Sequence, residues 1–174
     1  MRISDKTFLH IVKHYNSLTP EQIIEIEQDS ERTGAPLQSS AIKKKFIDDI
    51  KLTKLFADYT KIPYADIDSR DITEEALTKI PEHIARQYNA VVFKIDPDTN
   101  QIHLAMEDPD DVAAVNTLQK YIGTNIRIHV TTRESILSAL EAYRGDVDKE
   151  IEQVVSDQTK TINQANIPQA VREE

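Results

Sequence analysis

The 174-residue sequence contains no cysteine, only three glycines and no long apolar run. Without cysteine there are no disulfides, no thiolate nucleophiles and no Cys-based zinc or iron–sulfur sites. The glycines, Gly34, Gly123 and Gly145, are isolated from one another. A phosphate-cradling loop needs several glycines close together, so that backbone N–H groups can face the anion. Neither G-x-x-x-x-G-K-S/T nor G-x-G-x-x-G can be written anywhere in the chain, which excludes nucleotide hydrolysis through a P-loop of its own. No stretch approaches the ~20 apolar residues of a membrane-spanning helix, so direct membrane insertion is not expected. The N-terminus, MRISDKTFLH, lacks the apolar centre of a signal peptide. These features lead us to expect a cytoplasmic protein.

Positive charge is also scarce. Lys and Arg number 21 against 30 Asp and Glu, giving a net charge of −9 and a pI near 5.1. Nucleic-acid phosphates call for clustered Lys and Arg, so no nucleic-acid partner is expected. The densest basic run, Lys43-Lys44-Lys45, is followed at once by Asp48-Asp49 and reads as a solvated helix end. At 39% hydrophobic residues the chain can build a modest core if part of it stays outside.

What is present is strongly patterned. Phe8, Ile11, Val12 and Tyr15 fall at helical spacing over residues 5–15. Thr19, Pro20 and Gln22 form a capping box opening a helix that Gly34 stops. Two further helices are expected over 37–45 and 48–60. Asp48 or Asp49 caps the second, and Leu52, Leu55 and Phe56 form its inner face. Ile62-Pro63 ends it, and YADI follows as a short extended segment. Thr73-Glu74-Glu75 opens a short helix, and Pro81 opens the next.

The period then changes. AVVFKID (90–96) and QIHLAM (101–106) form a hairpin around the turn PDTN, with Asp96 and Asp98 in its loop. DVAAVNTLQKYIG is an amphipathic helix, NIRIHVT (125–131) a third strand, and ESILSALEAYRG a closing helix with a capping box at Thr131 and Glu134. The strand–helix–strand unit should cross over right-handed. The expected class is α+β: helical units over 1–67, then a three-stranded sheet packed with helices over 68–145. Residues 146–174 read as a flexible linker or tail with one weak helix around Val147, Ile151, Val154 and Val155. Such a linker suggests that a further domain follows it, or that a partner orders it.

Candidate chemistry is thin. Glu107, Asp108, Asp110 and Asp111 could hold a cation or work as acid and base, but each has a local reason to be there. Asp108 before Pro109 has an N-cap then N1 arrangement, and Asp110 and Asp111 suit a first helical turn. No EF-hand spacing or glycine accompanies them. His10 and His14 share a helix face but lack a third zinc ligand, and Ile11 stands where a zinc protease has glutamate. His103 and His129 lie on strands, each between residues that face the other way, and are expected to share a solvent face without a triad partner. Tyr15, Tyr59, Tyr64, Tyr88, Tyr121 and Tyr143 are scattered, which suggests packing rather than a base-stacking platform. The sequence therefore offers no catalytic, cofactor or metal residues. A small metal-dependent enzyme using His10, His14 and the acidic cluster is the least supported reading.

One long segment carries more information. It contains Ile80-Pro81, Ala85-Arg86-Gln87-Tyr88, then Leu104-Ala105-Met106-Glu107-Asp108-Pro109-Asp110-Asp111, and ends at Tyr143-Arg144-Gly145. This order resembles the N-terminal domain of the type II secretion and type IV pilus assembly ATPases. The A-M-x-D-P core is its most specific piece. Upstream, NSLTPEQIIEIEQDSERTG and FIDDIKLTKLFADYTKIPYADI resemble the paired helical units of the same family. The likeness covers about residues 7–145.

In one subgroup those units bind cyclic di-GMP through an R-L-G start, a glycine before the second helix and a closing glutamine, twice over. Here the second unit has Pro36-Leu37-Gln38, Lys45 and Tyr59 at those places. The first unit has Asn16 for the glycine and Ser30 for the glutamine. The apolar positions Leu18, Ile23, Leu37, Ile47, Leu52 and Phe56 persist. The resemblance thus implies the fold without the ligand chemistry, and cyclic di-GMP is not expected as a ligand. It implies a non-catalytic docking or regulatory domain of a bacterial motor. The expected partner is the cytoplasmic part of an inner-membrane platform protein, which would hold the domain peripheral to that membrane. Any ATPase domain would follow in a longer protein. The alternative is a stand-alone adaptor or regulator of the same fold, including a weak cyclic di-GMP sensor.

Overall fold

The computed structural model describes residues 3–68, 70 and 72–141. The expected linker and its weak helix lie outside the described residues. Four helices come first: α1 (Asp5–His14), α2 (Pro20–Thr33), α3 (Leu37–Lys43) and α4 (Asp49–Thr60). Two short helices follow, α5 (Glu74–Leu77) and α6 (Glu82–Tyr88). The strands are β1 (Ala90–Ile95), β2 (Ile102–Met106) and β3 (Ile126–Val130), with α7 (Val112–Ile122) between the last two. Residues 133–141 are helical and form α8. The fold is α+β, as the sequence implies.

Local chemistry explains most boundaries. Thr19 accepts from the Gln22 amide at 3.3 Å while the Gln22 side chain accepts from the Thr19 amide at 2.9 Å. That is the full capping box, and Gly34 closes α2 at φ 72, a left-handed position that suits glycine. Asp48, not Asp49, caps α4 by accepting from the Lys51 amide at 2.7 Å.

Other boundaries move by a few residues. α3 ends at Lys43 rather than Lys45 because Lys45 turns to φ 59. Asp108 is not the N-cap of α7. Asp108 and Pro109 instead make a turn, in which the Asp108 carboxylate accepts from the Asp110 amide at 3.2 Å. Asp111 caps the helix through the Ala114 amide at 2.9 Å. Thr132, not Thr131, caps α8 by accepting from the Ser135 amide at 3.1 Å. The Thr131 hydroxyl instead donates to the Ala65 carbonyl at 2.7 Å in a buried bond.

The sheet order is β1-β2-β3, with β1 antiparallel and β3 parallel to β2. At the outer edge of β3, Tyr64 makes a parallel bridge to Val130. Flanking it, the Val130 amide donates to Pro63 and the Val130 carbonyl accepts from Ala65, each at 2.9 Å. The expected hairpin is present, but the register shifts between Val92 and Lys94, which makes Phe93 an extra residue in β1. Such a bulge re-aims the side chains beside it.

Burial separates into three clusters. Phe8, Ile11, Ile26, Leu37, Ala41, Leu52 and Phe56 hold the four helices together, and Val130 of the sheet joins them. Leu104, Met106, Leu118, Ile136 and Leu140 pack one side of the sheet against α7 and α8. Ala65 and Ile67 meet Val91, Ala105 and Ala139 in a third, smaller cluster. The segment after α4 thus runs along both halves and links them.

Candidate functional site

The two helix pairs, α1–α2 and α3–α4, are copies offset by 29 residues, as the step from Asn16 to Lys45 shows. In the first, the Ser17 amide donates to the Val12 carbonyl at 3.0 Å; in the second, Phe46 does the same to Ala41 at 3.0 Å. Asn16 has φ 48 and Lys45 φ 59. Leu18 and Ile47 are buried at matching places, and Thr19 and Asp48 cap the following helices. Each turn borders a groove, of about 400 Å³ in the first copy and about 380 Å³ in the second. Lys13, Asn16, Leu18 and Pro20 line one; Ile42, Lys45, Ile47 and Asp49 line the other at equivalent positions.

Among the positions that the resemblance assigns to a ligand, Leu37, Gln38 and Ser30 are engaged within the chain. Leu37 donates its amide to Asp5 at 2.9 Å, so α1 supplies the side-chain cap that α3 lacks. Gln38 is buried, and its carbonyl accepts from the Ile3 amide at 3.3 Å. Ser30 donates to the Ala35 carbonyl at 2.6 Å. Tyr59 lies edge-on to His14 at 6.0 Å. The Pro36–Gln38 corner is thus tied to residues 3–5, an arrangement with no local signal in the sequence.

Both turns keep a left-handed backbone without glycine. A residue with a Cβ strains there by about 1–2 kcal/mol, least for asparagine, whose side chain tolerates the region. Lys45→Gly should therefore raise stability by up to about 1 kcal/mol, the relief of strain exceeding the added freedom of the unfolded chain. Asn16→Gly should gain less. Urea midpoints of the two variants check the order, and a destabilised Lys45→Gly would mean the turn carries no strain.

The remaining candidates do not assemble into catalytic groups. Among the described residues no three His, Asp or Glu side chains are placed to hold a metal ion. His14 meets the Tyr15 and Tyr59 rings, not a further ligand. Burial, and then Asp110, Asp111 and Glu107, push the Asp108 carboxyl above its ordinary value. Its role is to hold the turn before α7. The basic run is divided: Lys44 pairs with Glu25 at 2.7 Å, while Lys45 occupies the turn. Asp96 accepts from the Asp98 and Thr99 amides and holds the hairpin loop, as placed.

His103 and His129 do share a sheet face, but it is half-buried rather than open to solvent. His103 Nδ1 and His129 Nε2 lie 3.0 Å apart, and the bulged Phe93 ring packs edge-on to both. His129 Nδ1 is buried without a hydrogen-bond partner. A proton there would be a stranded donor, so His129 Nε2–H donates and His103 Nδ1 accepts. Burial lowers both pKa values, aided by His103 and Arg127 at His129 and by Lys94 and Arg127 at His103; His129 falls to about 4. Both shifts favour the neutral rings, and among the described residues no carboxylate or serine completes a triad with them.

Comparison with known proteins agrees with this geometry. The MshEN domain family matches residues 60–150, just over half of the chain. The type IV pilus assembly ATPase PilB of Myxococcus xanthus strain DK1622 is 22% identical over 142 residues. The match takes in 82% of this chain and 25% of PilB, so the chain spans about a quarter of that relative's length. Among solved structures, MshE with cdg aligns with a TM-score of 0.64 at 19% identity, covering 78% of this chain and 97% of that one. The N-terminal domain of XpsE aligns with a TM-score of 0.55 at 16% identity, covering 82% of this chain and 97% of that one. The fold is therefore shared with both, and the chain belongs to the MshEN domain family, the N-terminal domain of type II secretion and type IV pilus assembly ATPases.

Proposed function

We propose that the chain is a non-catalytic docking and regulatory domain of a type II secretion or type IV pilus assembly ATPase. It binds the cytoplasmic part of an inner-membrane platform protein and so sits at that membrane without entering it. The family match together with the alignment to a quarter of PilB carries this reading. Two further features support it. The three glycines are too far apart for a P-loop, so motor chemistry belongs elsewhere. No described helix is long and apolar enough to cross a membrane, so attachment goes through a partner.

The test uses inverted inner-membrane vesicles from cells with and without the platform gene. The chain should sediment with the first kind and stay in solution with the second. Equal sedimentation, or none with either, would remove the platform from the reading.

The alternative, a stand-alone regulator that senses cyclic di-GMP, draws on one observation. MshE was solved with that ligand, and both turns here keep the repeated left-handed geometry. Against it stand Pro36, Gln38, Lys45 and Tyr59. Proline cannot replace a guanidinium at a guanine edge, and Gln38 is committed to Ile3. Calorimetric titration with cyclic di-GMP should give no binding heat, whereas saturable binding would bring the sensor reading forward.

A further inference from the structure

A third concave site lies away from both turns, where the end of α4, residues 62–64 and β3 meet. It is a shallow, open cleft of about 390 Å³. Lys54 reaches it from α4, Lys61 from the residue that ends that helix, and Arg127 from β3. Asp58 is the one carboxylate in its lining. Three cations around a single cleft stand out on a chain with a net charge of −9.

These cations are weakly committed. Arg127 is exposed and makes no ion pair among the described residues. Lys61 meets Asp58 at 3.3 Å, with both side chains largely in water, where such a pair contributes little. Asp58 is also held by the Tyr15 hydroxyl. Lys54 lies 5.2 Å from the centre of the Tyr64 ring, which orients its ammonium while leaving its donors free. Ile62 adds an apolar wall. Residues 54–64 and 127 come together where Tyr64 pairs with Val130.

We propose that this cleft binds a phosphate-bearing ligand, with the Arg127 guanidinium gripping the phosphate and Lys54 and Lys61 neutralising its remaining charge. A guanidinium fork matches phosphate oxygens, and ammonium groups add point charge. The three cations come from two different elements and line one depression, which suits a compact multivalent anion better than an extended acidic peptide. The phosphate can come from a soluble compound or from a lipid headgroup. This inference stands apart from the platform reading and from the turns.

The test titrates the whole chain with inorganic pyrophosphate, with phosphatidylglycerol vesicles against phosphatidylcholine vesicles, and with polyglutamate. Wild type should bind pyrophosphate or phosphatidylglycerol in a salt-sensitive way. Saturable pyrophosphate binding identifies a soluble source, and binding only to phosphatidylglycerol vesicles identifies the lipid. Arg127→Gln and Lys61→Gln should each weaken binding about tenfold or more, the effect of losing one charge-assisted contact. Lys120→Gln removes equal charge from an exposed position on α7 and should change little. All three are surface changes, and unchanged melting temperatures verify the fold. No binding of either phosphate probe, equal weakening by Lys120→Gln, or polyglutamate binding as tight as pyrophosphate would each overturn the proposal.

Discussion

Phe56→Ala is expected to lower unfolding free energy by about 3–5 kcal/mol, the cost of a large cavity in a packed core. Phe56 is only 1% exposed and belongs to the cluster with Phe8, Ile11, Ile26 and Leu52. That cluster is what holds the two helix pairs against each other. A domain of this size has a total stability of about 5–15 kcal/mol, so the variant would sit near the edge of folding. Tyr59, one turn further along α4, is 40% exposed, and Tyr59→Ala should change stability much less. Urea unfolding measures both through the midpoint at constant slope. A loss under about 1 kcal/mol for Phe56→Ala would show that the helical units do not depend on their shared core.

Val130→Asp should cost a similar amount, about 3–5 kcal/mol, because it buries a carboxylate in an apolar cluster. Its pattern should differ. The Val130 backbone bonds to Pro63 and Ala65 on the edge of the sheet, while its side chain lies in the helical cluster. The damage should fall first on the joint between halves. Amide hydrogen exchange should rise in α1–α4 well before it rises in β2 and α7. Val130→Ala, which removes about two methylenes, should show the same ordering at about 2 kcal/mol. A uniform rise across the chain would mean that the two halves unfold as one unit and that Val130 has no special place.

Much of this was legible in the sequence. Thr19, Gln22 and Gly34 bracket α2 by chemistry confined to a few neighbouring residues, so the sequence determines that helix alone. The β-rich composition of residues 90–96 and the alternation in 101–106 and 125–131 place the strands, but not that β1 and β2 are buried on both faces, with Val91 and Ala105 on one and Val92 and Leu104 on the other. The family likeness rests on linear order, which survives at 22% identity to PilB. Choices between equivalent neighbours were not legible. Asp108 and Asp111 are both competent caps, as are Thr131 and Thr132. In each case the unused residue serves a turn or a distant carbonyl, and such a demand has no local trace.

The sequence by itself determined the helices, the strands and the α+β class. All of these follow from periodicity, capping residues and composition, which act over a turn or two of chain. Only the tertiary structure decided what meets across long separations. It put the Asp5 carboxylate on the Leu37 amide, buried Gln38 against Ile3, and brought His103 within 3.0 Å of His129. It also closed a cationic cleft from Lys54, Lys61 and Arg127. Such contacts depend on how the elements pack, and many packings are compatible with the same local preferences until the shared core selects one.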